Sequence, residues 1–506
     1  MKLTRRGLSA SLLAAVPARA DTVHDTITAR IARDIRNLDP ANNTSYLEAN
    51  ILKACMQRLV MPRRGTFDTE GDAAASISKP TPTTIAFELK PGLQFSGGYG
   101  PLTADDVKFS YERFPTAGLG GKPSTRAKAW EALEGVEVTG KLSGVLHLRN
   151  PAPTVLTESF TSGSGAICSR RAFEALGPAR MAQFVVGSGA YIFDSWEPNT
   201  RVVLRANPDY TGPKPAFARL VLRPVEDVKT AQLALWAGEV DFTALEPGAI
   251  RETRAAGLRV VQLDSINYVW IGMNVEAPLL ADVRVRRAIR LAVDTEGVVQ
   301  AAYNGAAHTI RSLQAPKLLG YWPDAPTYRR DVAAARALLA EAGVKPGQPV
   351  KLTHLATPAY AAAALVVRAM LAEAGLDVQV DARPAATFWS SGDGDAGRGL
   401  ELSMQRFGGE PDPAFQTQWF VSDQIGQWNW QRWSNAEFDR LDSEGRSTDA
   451  AARRQDIYVR MQQLMDESAA FIWLTNEVNA YGAAPWLDPA IQPTGDDLQY
   501  PLFQLA

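Results

Sequence analysis

Four histidines and two cysteines are all the imidazole and thiol chemistry that this 506-residue chain carries. His24, His147, His308 and His354 are scattered, and neither Cys55 nor Cys168 has metal-ligand spacing, so no resident metal or other cofactor is expected. No G-x-S-x-G elbow or H-E-x-x-H pair occurs, no G-x-G-x-x-G leads from a strand into a helix, and no G-x-x-x-x-G-K cradle is present. These absences argue against the common hydrolase, metalloprotease and nucleotide-enzyme designs. Charge of one sign is also lacking: the formal net charge is −2, without a long basic run, which excludes nucleic acid as an expected partner. After the first twenty residues no apolar run approaches the roughly 20 residues of a membrane span, so stable membrane insertion is not expected.

What is present is an ordinary globular composition, 46% apolar and 21% charged. The length predicts two or three packed units. Residues 1–20 read as a separate signal. Lys2, Arg5 and Arg6 make a positive start, Leu8 to Val16 is a short apolar stretch, and Ala18-Arg19-Ala20 is an A-x-A cleavage site. The paired arginines resemble a twin-arginine export signal, and the general secretory route accepts the same pattern. A free periplasmic protein beginning near Asp21 is expected. Cys55 and Cys168 are then two buried free thiols, favoured by their apolar surroundings, or one disulfide.

Local pattern defines several elements. Asp282 should cap a helix over DVRVRRAIRLAV, with its arginines at 284, 286, 287 and 290 forming a solvated face. Asp331 should cap a second helix, which turns Leu338 and Leu339 inward and stops at Gly343. The stretch from Val350 to His354 alternates as a strand, Ala359 to Ala374 is helical up to Gly375, and Asp377 to Asp381 alternates again. Such a strand-helix-strand unit predicts a parallel pair in an α/β lobe. Thr84 to Lys90 reads as a half-buried strand, and Arg201 to Tyr210 as a strand ending in a turn. The Gly-rich loop 393–399 has two aspartates but not the later ligand positions of a calcium loop, and is read as a surface loop.

Six blocks in order along the mature chain resemble the peptide and nickel class of periplasmic binding proteins, the bacterial extracellular solute-binding proteins of family 5. They are Leu38-Asp39-Pro40 with the following helix, FELKPGLQFSGGYGPLTADDVKFSYERF (87–114), VGSGAY (186–191) with WEP and NPDY, WAGEVD (236–241), Met273-Asn274 with DVRVRRAI, and EPDP (410–413) with WSNAEFD (433–439). The resemblance implies a two-lobed periplasmic binding protein fold of type II, peptide-binding class, with an inserted extra domain. It implies lobe I at 21–60, 183–262 and 476–506, the insert at 61–182, lobe II at 263–475, and a hinge near 262 and 475.

The family also implies the function: a monomeric substrate-binding receptor, not an enzyme, that delivers a peptide-like or other small polar solute to the permease subunits of an ABC importer. An oligosaccharide, an opine-like conjugate or a metal chelate also suits an aromatic-walled cleft. Carried-over cleft positions are Thr44, Ser45 and Tyr46, Trp270, His354, the strand residues Gln405, Arg406 and Phe407, then Glu410 and Asn429, with Trp389, Trp428 and Trp430 as walls. Relatives hold a peptide amine with an Asp where this chain has Gly409, beside Glu410, and a carboxylate with an Arg near His354; both departures argue against a strict dipeptide receptor. Arg406 meets an anionic ligand or pairs with Glu410. An exported hydrolase with a fold-assembled carboxylate pair and a chemosensory receptor are the alternatives.

Overall fold

The computed structural model describes residues 24–43, 45–116, 124–316 and 318–506; the signal-like leader and Thr44 lie outside them. A ten-stranded sheet runs through the molecule in the order Tyr191–Glu197, Arg201–Ala206, Arg219–Pro224, Thr26–Ile31, Phe242–Leu245, Phe471–Ala483, Arg259–Met273, Leu402–Phe407, Gln348–Leu355 and Leu376–Arg383. Its centre is made by the two longest strands, Arg259–Met273 and Phe471–Ala483, which pair antiparallel from Arg259 opposite Ala483 to Gly272 opposite Phe471. Their ladder breaks between Asp264 and Tyr268. On one side of the break the neighbouring strand is Phe242–Leu245, and on the other it is Leu402–Phe407.

Each half of the sheet buries its own apolar core. Ile27, Leu204, Phe217, Leu222 and Phe242 centre the first, together with Leu52 and Cys55 of helix Tyr46–Cys55. The second packs Val350, Leu352 and Val378 under Ile289, Val298 and Val367 from three helices. A separate four-stranded sheet, in the order Ala74–Thr81, Thr84–Leu89, Ser143–Leu148 and Leu133–Val138, closes a third core with Val107 and Tyr111. Those residues lie on helix Ala104–Glu112, where the backbone N and hydroxyl of Thr103 both donate to Asp106. Cys55 and Cys168 are buried and free.

Local pattern predicted these elements well. Gln348–Leu355 and Leu376–Arg383 are parallel neighbours joined by helix Pro358–Ala374, which ends at left-handed Gly375. Thr84–Leu89 alternates buried and less buried positions. Asp282 and Asp331 cap their helices as expected. The arginine face does not follow expectation: Arg286 and Arg290 are buried, while Arg287 is exposed. Helix Ala451–Ser468 ends against them, where the last carbonyls lack the usual i+4 donor and the Asp466 carbonyl accepts from Ala469 N. Arg286 donates to the Ser468 carbonyl at 2.9 and 3.0 Å and also to Leu280 and Ala281. Arg290 donates to the carbonyl and carboxylate of Asp466, both at 2.9 Å. Two guanidinium groups therefore cap a neighbouring helix.

Replacing Arg286 with Met should cost about 1–3 kcal/mol, because buried carbonyls lose their donor. Arg287→Met should change stability by less than about 0.5 kcal/mol. Urea melts of the two variants test this, and equal losses would mean that the Arg286 contacts contribute nothing.

Candidate functional site

Two hollows, of about 720 and 670 Å³, share Ala244, Arg406, Tyr481 and Asp496 in their walls, so they form two ends of one cleft. Strand Phe471–Ala483 borders it along Glu477, Val478, Asn479, Ala480 and Tyr481, of which Glu477, Asn479 and Tyr481 bring the polar groups. Arg406 reaches in from Leu402–Phe407. Its Nε donates to Glu477 Oε2 at 2.6 Å and its Nη2 to Asp496 Oδ2 at 3.3 Å. The hydroxyls of Tyr360 and Tyr303 donate to Glu477 Oε1 at 3.0 and 3.4 Å. Asp496 also accepts from Asn267 and Asn479, each at 3.1 Å. Burial works against the Arg406 charge, but Glu477 and then Asp496 more than offset it and hold the guanidinium firmly protonated.

A second polar cluster lies beside this one. The Tyr46 hydroxyl, on helix Tyr46–Cys55, donates to Glu410 Oε1 at 2.8 Å, across 364 residues of sequence. Lys53, about two helical turns further on, pairs with Asp497. Burial pushes the Glu410 carboxyl up, with the Tyr46 hydrogen bond in opposition. Burial, then the nearby carboxyls of Glu410 and Asp412, push Glu158 up to about 8.

The expected site residues divide sharply. Tyr46, Trp389 and Arg406 line the hollows, Ser45 joins them while capping the helix through Leu47 N, and Glu410 borders a smaller cavity that Tyr46 also lines. Phe407 and Trp428 sit in an aromatic cluster with Trp389 and Trp419. Five others are interior. Trp270 is fully buried between Tyr268, Phe407, Phe420 and Trp473 instead of facing the cleft. His354 is buried, with Nδ1 2.8 Å from the Leu355 carbonyl, and so offers no open anion partner through that nitrogen. Gln405 accepts from Gln431 at 2.6 Å, and Trp430 donates to the Gln427 carbonyl at 3.0 Å; both are buried. Asn429 spends its side-chain amide on the carbonyls of Phe420, Val421 and Trp433. Arg406 pairs with Glu477 and Asp496 rather than with Glu410.

Sequence reasoning missed Glu477, Asp496, Tyr303, Tyr360 and Lys53. One signal was available: Glu477, Asn479 and Tyr481 are polar at every second position toward the end of strand Phe471–Ala483. Gly409 has its own reason. Its backbone packs so closely on the Ile266 carbonyl that a Cβ there would collide with it, so an Asp would not fit without a backbone shift. Among the described residues no group of three or more His, Cys, Asp or Glu side chains could hold a metal, and no helix is long and apolar enough to cross a membrane.

A family model described as bacterial extracellular solute-binding proteins, family 5, middle, matches residues 69–428. The chain belongs to that family. The putative ABC transporter peptide-binding protein BOV_A0352 of Brucella ovis is 29% identical over 321 residues, covering 61% of this chain and 59% of that protein's length. The probable D,D-dipeptide-binding periplasmic protein DdpA of Escherichia coli is 26% identical over 478 residues, 90% of this chain and 89% of the relative. Among solved structures, the ABC transporter substrate binding protein CtaP from Listeria monocytogenes superposes with a TM-score of 0.86 at 20% identity, over 95% of this chain and 99% of that one. This likeness shows the fold, that of the two-lobed binding proteins.

Two outcomes follow from the geometry. Trp270→Ala should lower stability by about 3–5 kcal/mol, the cost of a large core truncation, whether or not solute is present; a small loss in a urea melt would return Trp270 to the cleft. The folded protein keeps the Glu158 proton up to about pH 8, whereas an unfolded glutamate loses it near about pH 4.3. The unfolded chain therefore binds fewer protons across that window, and stability falls as pH rises through it. Glu158→Gln should flatten the decline of Tm between about pH 5 and about pH 8, and parallel slopes would mean an ordinary carboxyl.

Proposed function

We propose that this chain is the solute-capturing receptor of an ABC importer, exported to the periplasm, and that its cleft takes an extended peptide or a peptide-like polar solute. One observation carries the reading. The parallel ladder between Leu402–Phe407 and Gln348–Leu355 stops at His354 opposite Met404, so one edge of residues 405–407 continues beyond the sheet, at the hollow that Arg406 and Trp389 line. A free strand edge beside a roomy, polar and aromatic cavity suits a ligand that pairs through its main chain while its side chains vary. The peptide-binding relatives agree with this choice.

In this reading lobe I is 21–60, 183–262 and 476–506, the insert is 61–182, and lobe II is 263–475. The hinge lies at the ladder break between Asp264 and Tyr268 and its partner segment 476–478. Tyr46 to Glu410, and Arg406 to Asp496, would then be contacts that close the lobes on each other. Solute that touches both lobes stabilises the closed form by its differential affinity, and the permease reads that form. The protein works as a monomer and catalyses no reaction.

Native mass spectrometry of protein purified from the periplasm, followed by denaturing release, should yield discrete peptide-like masses. Arg406→Gln should bind the released solute at least about tenfold more weakly, since a charged hydrogen-bonding group is lost from the cleft. Unchanged affinity in calorimetry would remove Arg406 from the site. Conversion of the solute into smaller products would instead favour an exported hydrolase. Normal uptake in a deletion strain would favour a chemosensory receptor.

A further inference from the structure

Beside the main cleft is a cavity of about 110 Å³ whose walls come from helix Tyr46–Cys55, residues 157–163, residues 410–415 and the segment 492–497. Its lining is amphipathic. Ala49, Pro62, Phe67, Pro411 and Phe415 supply apolar surface. Gln492, Thr494 and Asp497 are more than nine-tenths buried, and each has an oxygen without a hydrogen-bond partner: Oε1, Oγ1 and Oδ1 respectively. Buried acceptors are costly when unpaired, so three on one small cavity point to a donor that arrives from outside the fold.

The cations already present do not fill that role. Lys53 pairs with Oδ2 of Asp497, leaving Oδ1 unpartnered, and Arg126 directs its Nε to the Asn43 carbonyl at 2.6 Å. The same lining carries the Glu410 carboxyl, whose Oε1 accepts from the Tyr46 hydroxyl, so a further acceptor side chain borders the cavity.

We propose that this cavity is a side subsite for an alkylammonium group of the captured solute, of the kind a lysine- or ornithine-type side chain carries; the assignment rests on the receptor reading above. The apolar walls take the methylene stem, and the acceptors of Gln492, Thr494 and Asp497 take the ammonium hydrogens. Because these walls come from parts of the chain far apart in sequence, the group would also help to hold them together.

The test offers the full-length mature protein an equimolar mixture of tripeptides carrying lysine at one position and the same peptides with Nε-acetyl-lysine there. Bound peptides are then weighed by native mass spectrometry. Free-lysine peptides should be enriched about tenfold, the loss expected when a charged donor is removed. Asp497→Asn should abolish the enrichment. Thr494→Val should reduce it several-fold while folding normally, because the Thr494 hydroxyl has no partner to lose. Equal capture of both peptide sets, or enrichment that survives in both variants, overturns the subsite and leaves the receptor reading intact. Capture of no peptide at all overturns both.

Discussion

The pairing of Arg259–Met273 with Phe471–Ala483 is the constraint on which the rest of the molecule depends. These strands carry the chain through the middle of the sheet, and the cleft is built at the point where their ladder breaks. There side chains take over from backbone bonds. Asn476 donates to the Asn267 carbonyl at 3.1 Å, Asn267 accepts from Gly409 N at 3.0 Å, and its amide donates to Asp496 at 3.1 Å. One buried asparagine thus ties the break to the turn before Glu410 and to an acid that holds Arg406. A site assembled on such a junction feels any change in the angle between the two halves of the sheet.

Electrostatics reinforces that coupling. The Arg454–Asp412 pair, at 2.6 Å and almost wholly buried, fixes the turn after Glu410, and Thr157 adds a hydrogen bond to the same carboxylate at 2.9 Å. Breaking such a pair by removing one partner is strongly unfavourable, because a charge is left in a poor solvent. Arg406 is likewise set between Glu477 and Asp496, but all three stay partly exposed at the cleft. The polar groups of the cleft are compensated by groups from distant parts of the chain, so a solute that displaces one contact must supply another. That requirement is a physical basis for selectivity.

Much of the architecture was legible in the sequence because its signals are local. Asp282, Asp331 and Thr103 mark helix starts through short-range hydrogen bonds, Gly375 marks a left-handed end, and the alternation around Thr84 and Val350 marks strands. The ordered blocks from Leu38 to Asp439 pointed to family 5, and they span strands, turns and helix starts of the fold. The buried arginines were illegible for the complementary reason: whether Arg286 faces water depends on helix Ala451–Ser468 ending against it, 182 residues away.

The site was read less well, and the same distinction explains why. What the sequence by itself offered was the family resemblance, which carried Tyr46, Arg406 and Glu410 over as cleft positions; in the fold Tyr46 starts a helix, Arg406 lies in strand Leu402–Phe407, and both border one hollow. Only the tertiary structure decided that Trp270, His354, Gln405, Asn429 and Trp430 are interior, since burial depends on what covers a residue and not on the strand or loop that carries it. It also decided that Arg406 meets Glu477 and Asp496, 71 and 90 residues away, instead of Glu410 four positions on. In a strand, side chains at even spacing share a face, but the partner is chosen by whichever strand lies alongside, and that pairing is a property of the folded sheet.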